Sequence, residues 1–118
     1  MLLFKNATYY TTKGPAKGDL FVDGGKVFEG GSYSPAMCSE TIDASGLFIV
    51  PGFADVHVHL REPGFFYKES IESGTLCGAK GGYTALCAMP NLNPVPDSKE
   101  NLDVELAAIR SGAKIDVY

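Results

Sequence analysis

From Pro51 onward the sequence alternates apolar runs of strand length with helix-patterned stretches, and this order restricts the fold more than any other feature. Phe53 to His59 reads as a strand, Glu69 to Lys80 as a glycine-studded helix stopped by Gly81-Gly82, and Tyr83 to Ala88 as a second strand. A loop over Met89 to Pro96 leads to a second helix. Asp97 and Glu100 stand at capping-box spacing at its start, Leu102, Leu106 and Ile109 share one face, and Gly112 marks its end. Ala113 to Tyr118 begins a third strand. Strand, helix, strand, helix, strand predicts a parallel sheet or barrel, because parallel neighbours need a crossover and a helix supplies it.

Residues 1–50 have another character and read as a separate all-β unit, with 51–118 as the α/β part. Strand-like runs LLFKNATYY, DLFVD, KVFEG, ETIDASG and LFIV are divided by turn clusters, with loops expected over Lys13 to Gly18 and over Gly30 to Ser39. Asp23-Gly24-Gly25 offers positive-φ positions and predicts a tight hairpin. Nothing in this unit suggests chemistry.

Composition narrows the function classes. Of 118 residues, 45% are apolar and 20% charged, and the net charge is -4, which excludes a disordered acidic tail, a collagen-like chain and a disulfide scaffold. No cluster of Lys and Arg is present, so neither nucleic acid nor a membrane surface is expected as a partner. The apolar stretch from Leu47 to Ala54 is broken by Pro51 and Gly52 and falls far short of the roughly 20 residues that cross a bilayer. Cys38, Cys77 and Cys87 form an odd set without C-x-x-C spacing, and no leader pattern precedes the first strand, so a cytoplasmic setting is expected. Cys77 and Cys87 read as core residues.

The chemistry concentrates in PGFADVHVHLREPG, Pro51 to Gly64. Strand alternation would put Phe53, Asp55, His57 and His59 on one face and Ala54, Val56, Val58 and Leu60 on the other, against helices. Two imidazoles one pleat apart, at the carboxyl end of a strand, can converge on one ion. Bare H-x-H pairs are more often surface or hydrogen-bonded core histidines, and the position at the end of the first α/β strand is what favours metal ligation here. Asp55 reads as a hydrogen-bond acceptor, not a ligand. Arg61, in the first βα-loop, offers a planar fork suited to a carboxylate, or else pairs with Glu62 or lies in solvent. Asn91 enters at the matching position of the second βα-loop, as a polar binding group or as a turn residue between two prolines.

The run DVHVHLREPG, followed by KESIESGTLCGAKGGYTALCAMPNLNP, resembles the amidohydrolase superfamily and, within it, the dihydroorotases of pyrimidine biosynthesis. Asp55 to Arg61 meet the Asp-apolar-His-apolar-His-apolar-Arg pattern, and Met89, Pro90 and Asn91 meet the M-P-N element. The resemblance implies an N-terminal β-sandwich segment followed by a metal-dependent-hydrolase TIM barrel. It implies that His57 and His59 are zinc ligands and that Arg61 and Asn91 grip the carboxylate of dihydroorotate or N-carbamoyl-aspartate. The implied reaction is reversible, metal-assisted hydrolysis of a cyclic amide with one or two zinc ions per complete site. A homo-oligomer, with aspartate transcarbamoylase as a candidate partner, is the implied assembly. Leu92 departs from many relatives, which carry a small hydroxylated residue there, and this bears on fine substrate preference.

A catalytic zinc normally takes three protein ligands and a (β/α)₈ barrel about 250 residues, whereas this sequence has two histidines in all. The expectation is therefore the N-terminal portion of a longer enzyme, its barrel truncated in the third strand. The remaining ligands and the general-base Asp are expected downstream, and the isolated chain is expected to be inactive. Allantoinases and the hydantoinase or dihydropyrimidinase group are the neighbouring readings; the latter usually lack an Arg matching Arg61, and allantoinases differ in the M-P-N element. A non-catalytic module whose open strand edges pair with another chain is the reading from a different class.

Overall fold

The computed structural model describes residues 1–30 and 33–118. Two compact units emerge, Met1–Pro51 and Gly52–Tyr118.

The first unit is built on one long strand. β1 (Leu2–Thr11) pairs antiparallel with β2 (Gly14–Asp23), which pairs antiparallel with β3 (Lys26–Glu29). On its other side β1 takes β4 (Glu40–Asp43) along its first half and β5 (Phe48–Ile49) along its second, both parallel. The β-sandwich segment expected for residues 1–50 is thus a single five-stranded sheet among the described residues. The β2–β3 hairpin turns at Gly24 and Gly25, with φ of 53° and 75°, as the Asp-Gly-Gly sequence predicts. Lys13 to Gly18 is not a loop. Thr11 pairs with Gly14 and Tyr10 with Pro15, so β2 starts almost at once. Pro15 is tolerated because β3 reaches only Leu20 to Asp23, leaving the outer edge of β2 open at that point. The loop expected over Gly30 to Ser39 falls partly outside the described residues, at Gly31 and Ser32, and its later part holds a 3₁₀ turn, Pro35–Met37.

Asn6, at φ 59°, forms the irregularity in β1 between Phe4 and Ala7. Its backbone N–H donates to Asp19 Oδ1 and its side-chain amide to Asp43 Oδ1. Hydrogen bonds from the Ser45 hydroxyl, and then from Asn6, hold the Asp43 carboxyl below its ordinary range.

The second unit follows the expected order. β6 (Phe53–Val58), α1 (Ile71–Lys80), β7 (Tyr83–Ala88), α2 (Lys99–Gly112) and β8 (Asp116–Val117) form a parallel sheet in the order β6-β7-β8. A three-stranded parallel sheet is common ground between barrels and open α/β sheets. Its core is Leu60, Ile71 and Leu86, with Val58, Ala88, Ala108, Ile109 and Ile115 packed around them. The glycines of α1 make close packing possible. A Cβ on Gly74 would lie 2.8 Å from Leu60 Cδ2 and one on Gly78 3.1 Å from Ile115 Cδ1. Cys77, expected in the core, lies exposed on α1. No helix among the described residues is long and apolar enough to cross a membrane.

The caps differ in one respect from the sequence reading. Ser70 caps α1 in a reciprocal box with Ser73. In α2 the cap is Ser98, whose hydroxyl accepts from the Asn101 N–H, while Asp97 accepts from the Asn101 side chain. The buried stripe of α2 is also rotated from the expected one. Leu102 is 41% exposed, whereas Glu105 is only 7% exposed and shares the inward side with Ala108 and Ile109. Burial pushes the Glu105 carboxyl above its ordinary 4.5. The folded state therefore holds this proton to higher pH than the unfolded chain does, and stability drains away as pH rises above 4.5. Glu105→Gln is expected to raise the melting temperature at neutral pH, with the gain vanishing near pH 4; melting curves across pH check it.

Candidate active site

Parallel pairing puts the carboxyl ends of β6 and β7 side by side. Val58 partners Ala88, and the Met89 N–H donates to the Val58 carbonyl at 2.9 Å, so both loops leave from one edge. His57 and His59 come together there, with ring centroids 5.3 Å apart and planes inclined by 71°. Both are exposed. Imidazoles sharing one tetrahedral ion at about 2.1 Å would have centroids roughly 5 Å apart. The observed spacing fits that requirement. Among the described residues no third His, Cys, Asp or Glu joins them in a metal-holding group.

The face assignment of β6 needs correcting. Its alternation breaks between Asp55 and Val58, where the register against β7 shifts by one residue. Asp55 consequently lines the same cavity as Val58, Leu60 and the α1 residues Gly74 and Cys77, away from the imidazoles. Val56, expected to pack against a helix, is 75% exposed. Asp55 acts as the acceptor foreseen for it, its Oδ1 taking the His57 N–H at 2.9 Å. This bond holds the backbone in the irregular stretch that carries the first histidine.

Asn91 lies directly on the pair, its Oδ1 2.8 Å from His59 Nδ1. A carboxamide oxygen can only accept, so the His59 nitrogen facing it carries the proton, and in the neutral form of the ring Nε2 is the nitrogen with the lone pair. Arg61 is half-buried two residues past His59. The alternative of pairing with Glu62 is not what occurs. Glu62 Oε2 accepts the Ile71 N–H at 2.9 Å, at the start of α1, and Arg61 has no ion pair among the described residues. A carboxylate at a helix N-terminus is favourably placed against the helix dipole.

Two features of the loops were not evident from motif reading. The Asn93 N–H donates to the Pro63 carbonyl at 3.3 Å, lacing the second loop to the first. Beside that bond Gly64 sits at φ 93°, and a Cβ there would fall 2.3 Å from the Asn93 carbonyl oxygen. The E-P-G turn signal pointed to Gly64, but nothing local pointed to its partner. Leu92 is 3% exposed and therefore packs inward.

A family model described as Dihydro-orotase-like matches residues 46–118. The chain belongs to the dihydro-orotase-like family. Among curated relatives, a dihydroorotase of Bacillus cytotoxicus is 48% identical over 116 residues, which is 98% of this chain and 27% of that protein. A dihydroorotase of Bacillus anthracis is 47% identical with the same coverage. The chain spans about a quarter of the length of these relatives. Among solved structures, the L-hydantoinase (dihydropyrimidinase) of Arthrobacter aurescens aligns with a TM-score of 0.78 at 26% identity, over 98% of this chain and 26% of its own. This dihydro-orotase-like chain therefore has a mixed α/β structure that hydantoinases share.

The seam between the loops gives a direct test. Gly64→Ala would meet both the positive φ and the Asn93 backbone, and is expected to cost about 2 kcal/mol. Denaturant unfolding measures the loss, and hydrogen exchange at the Asn93 amide should be faster than in the wild type.

Proposed function

We propose that these residues form the first part of the catalytic centre of a dihydroorotase, a zinc hydrolase interconverting dihydroorotate and N-carbamoyl-L-aspartate. The observation that carries this reading is the place of Arg61, half-buried two residues past a pair of imidazoles spaced for one ion. Dihydroorotate is a cyclic amide that bears a carboxylate. Hydantoins and dihydropyrimidines are cyclic amides without that group and offer a guanidinium fork no carboxylate to grip.

In this reading His57 and His59 would hold the zinc through neutral imidazole nitrogen. A zinc so held supplies an activated water and polarises the scissile carbonyl. Arg61 binds the substrate carboxylate with two parallel N–H donors, and Asn91 adds an amide N–H donor, so the ring is oriented before its amide bond is cleaved. A third ligand and the carboxylate that moves the proton come from residues beyond these 118, in a (β/α)₈ barrel begun by β6, α1, β7, α2 and β8. The 118 residues alone would then be inactive. A cytoplasmic homo-oligomer completes the proposal.

The hydantoinase reading is favoured by the fold likeness to L-hydantoinase. Substrate comparison decides between them. The complete protein should hydrolyse dihydroorotate and leave hydantoin; the reverse preference would sink the assignment. His57→Ala and His59→Ala are each expected to lose zinc and activity together, read by metal analysis and a hydrolysis assay. Arg61→Lys should keep its zinc and raise KM for dihydroorotate about tenfold or more, because a point charge replaces a fork. An unchanged KM would remove Arg61 from substrate binding.

A further inference from the structure

We propose that Asn91 is a positioning residue for His59. By accepting the Nδ1 proton of His59, it fixes the imidazole tautomer and leaves Nε2 as the only ring nitrogen with a lone pair for a ligand. The inference rests on the zinc-site reading above, yet its core is a statement about this chain alone.

Three observations support it. The Nδ1 to Oδ1 distance is 2.8 Å, a well-formed hydrogen bond. His59 follows the last residue of β6 and Asn91 lies three residues past the end of β7, so the bond joins two different βα-loops. Those loops are independently fastened to one another, through the Asn93 N–H on the Pro63 carbonyl and the close approach of Gly64 to Asn93. Asn91 therefore stands on backbone that cannot easily drift from His59. Buried Leu92, next in sequence, anchors the same loop from the inner side.

The chemical consequence is directional. An imidazole in water exchanges its proton between two nitrogens, and a metal ligand must have the lone pair on the nitrogen that faces the ion. A hydrogen bond from the other nitrogen selects that form and steadies the ring, and loss of such a partner typically weakens metal binding about 10- to 100-fold. With its oxygen engaged by His59, Asn91 meets a substrate through its amide N–H groups. One amide thus ties the metal ligand to the group that would contact an anionic substrate.

The test uses protein labelled with ¹⁵N-histidine, at a pH where the imidazoles are neutral, with His59 assigned by its loss in His59→Gln. Long-range proton–nitrogen spectra should show His59 with its proton on Nδ1 and a bare Nε2. In Asn91→Ala that preference should disappear, and zinc affinity by titration calorimetry should fall about 10- to 100-fold. Asn91→Asp retains an acceptor oxygen, so it should restore the tautomer while raising KM for a carboxylate substrate. A wild-type proton on Nε2, or an Asn91→Ala variant with unchanged tautomer, would overturn the proposal. If Asn91→Ala does not fold, the wild-type and Asn91→Asp spectra still decide it. Failure of the zinc reading looks different: the tautomer would respond to Asn91 as stated, but neither wild type nor variant would bind zinc.

Discussion

Parallel pairing of β6 with β7 brings together two loops that are far apart in sequence, and the chemistry of the second unit depends on that adjacency. Val58 and Ala88 are register partners, and the Met89 N–H continues the ladder onto the Val58 carbonyl. A slip of one residue would turn the ends of both strands to opposite faces. The pairing tolerates two such slips, between Phe53 and Ala54 and between Asp55 and Val58, and the effect of the second is visible: Asp55 goes to the helix side and the His57 N–H is held by its carboxylate. The second irregularity in β6 carries His57 and ends just before His59, in keeping with the tendency of strand bulges to re-aim side chains near sites.

Behind the strands, the packing explains why so small a core is sufficient to hold them. Gly74 and Gly78 let α1 approach Leu60 and Ile115 more closely than a side chain would allow without a shift of these neighbours. Thr75 is fully buried and satisfied. Its hydroxyl donates to the Ile71 carbonyl at 2.6 Å and accepts the Lys114 N–H at 3.0 Å, linking α1 to the segment that enters β8. Lys114 Nζ meets Glu72 at 2.8 Å on the outside of the same junction. That contact holds the Glu72 carboxyl below its ordinary range, first through the hydrogen bond and then through the charge of Lys114.

The element order of the second unit was legible because it rests on local signals: Tyr83 to Ala88 was bounded correctly by Gly81-Gly82, and Ile71 to Lys80 fell within the expected helix. The misreadings share a cause, which is that pairing and packing partners lie elsewhere in the chain. Gly14 to Gly18 reads as loop by composition, yet β1 offers it a full ladder. Glu105 would be assigned to solvent by its charge, but the rotation of α2 on the sheet turns it inward. The alternation in DVHVHL suggests two clean faces, and a register shift with β7 removes that regularity. His57 and His59 were legible as a pair from spacing, whereas the contact of His59 with Asn91 depends on a loop-to-loop seam with no local sequence signature.

Three of the four candidate side chains at the site are followed by a residue that fastens their backbone. His59 precedes Leu60, which is 2% exposed in the core. Arg61 precedes Glu62, whose carboxylate is spent on the first amide of α1. Asn91 precedes Leu92, which is buried. Residues that must present a polar group to a ligand cannot use that group to hold themselves in place, so rigidity has to come from their neighbours. Leu92 shows how this works. Its side chain is directed to anchoring the loop, not to the ligand, and an apolar residue meets that requirement through burial where a hydroxylated one would need a hydrogen-bond partner. The position following Asn91 thus bears on the candidate site through the placement of Asn91.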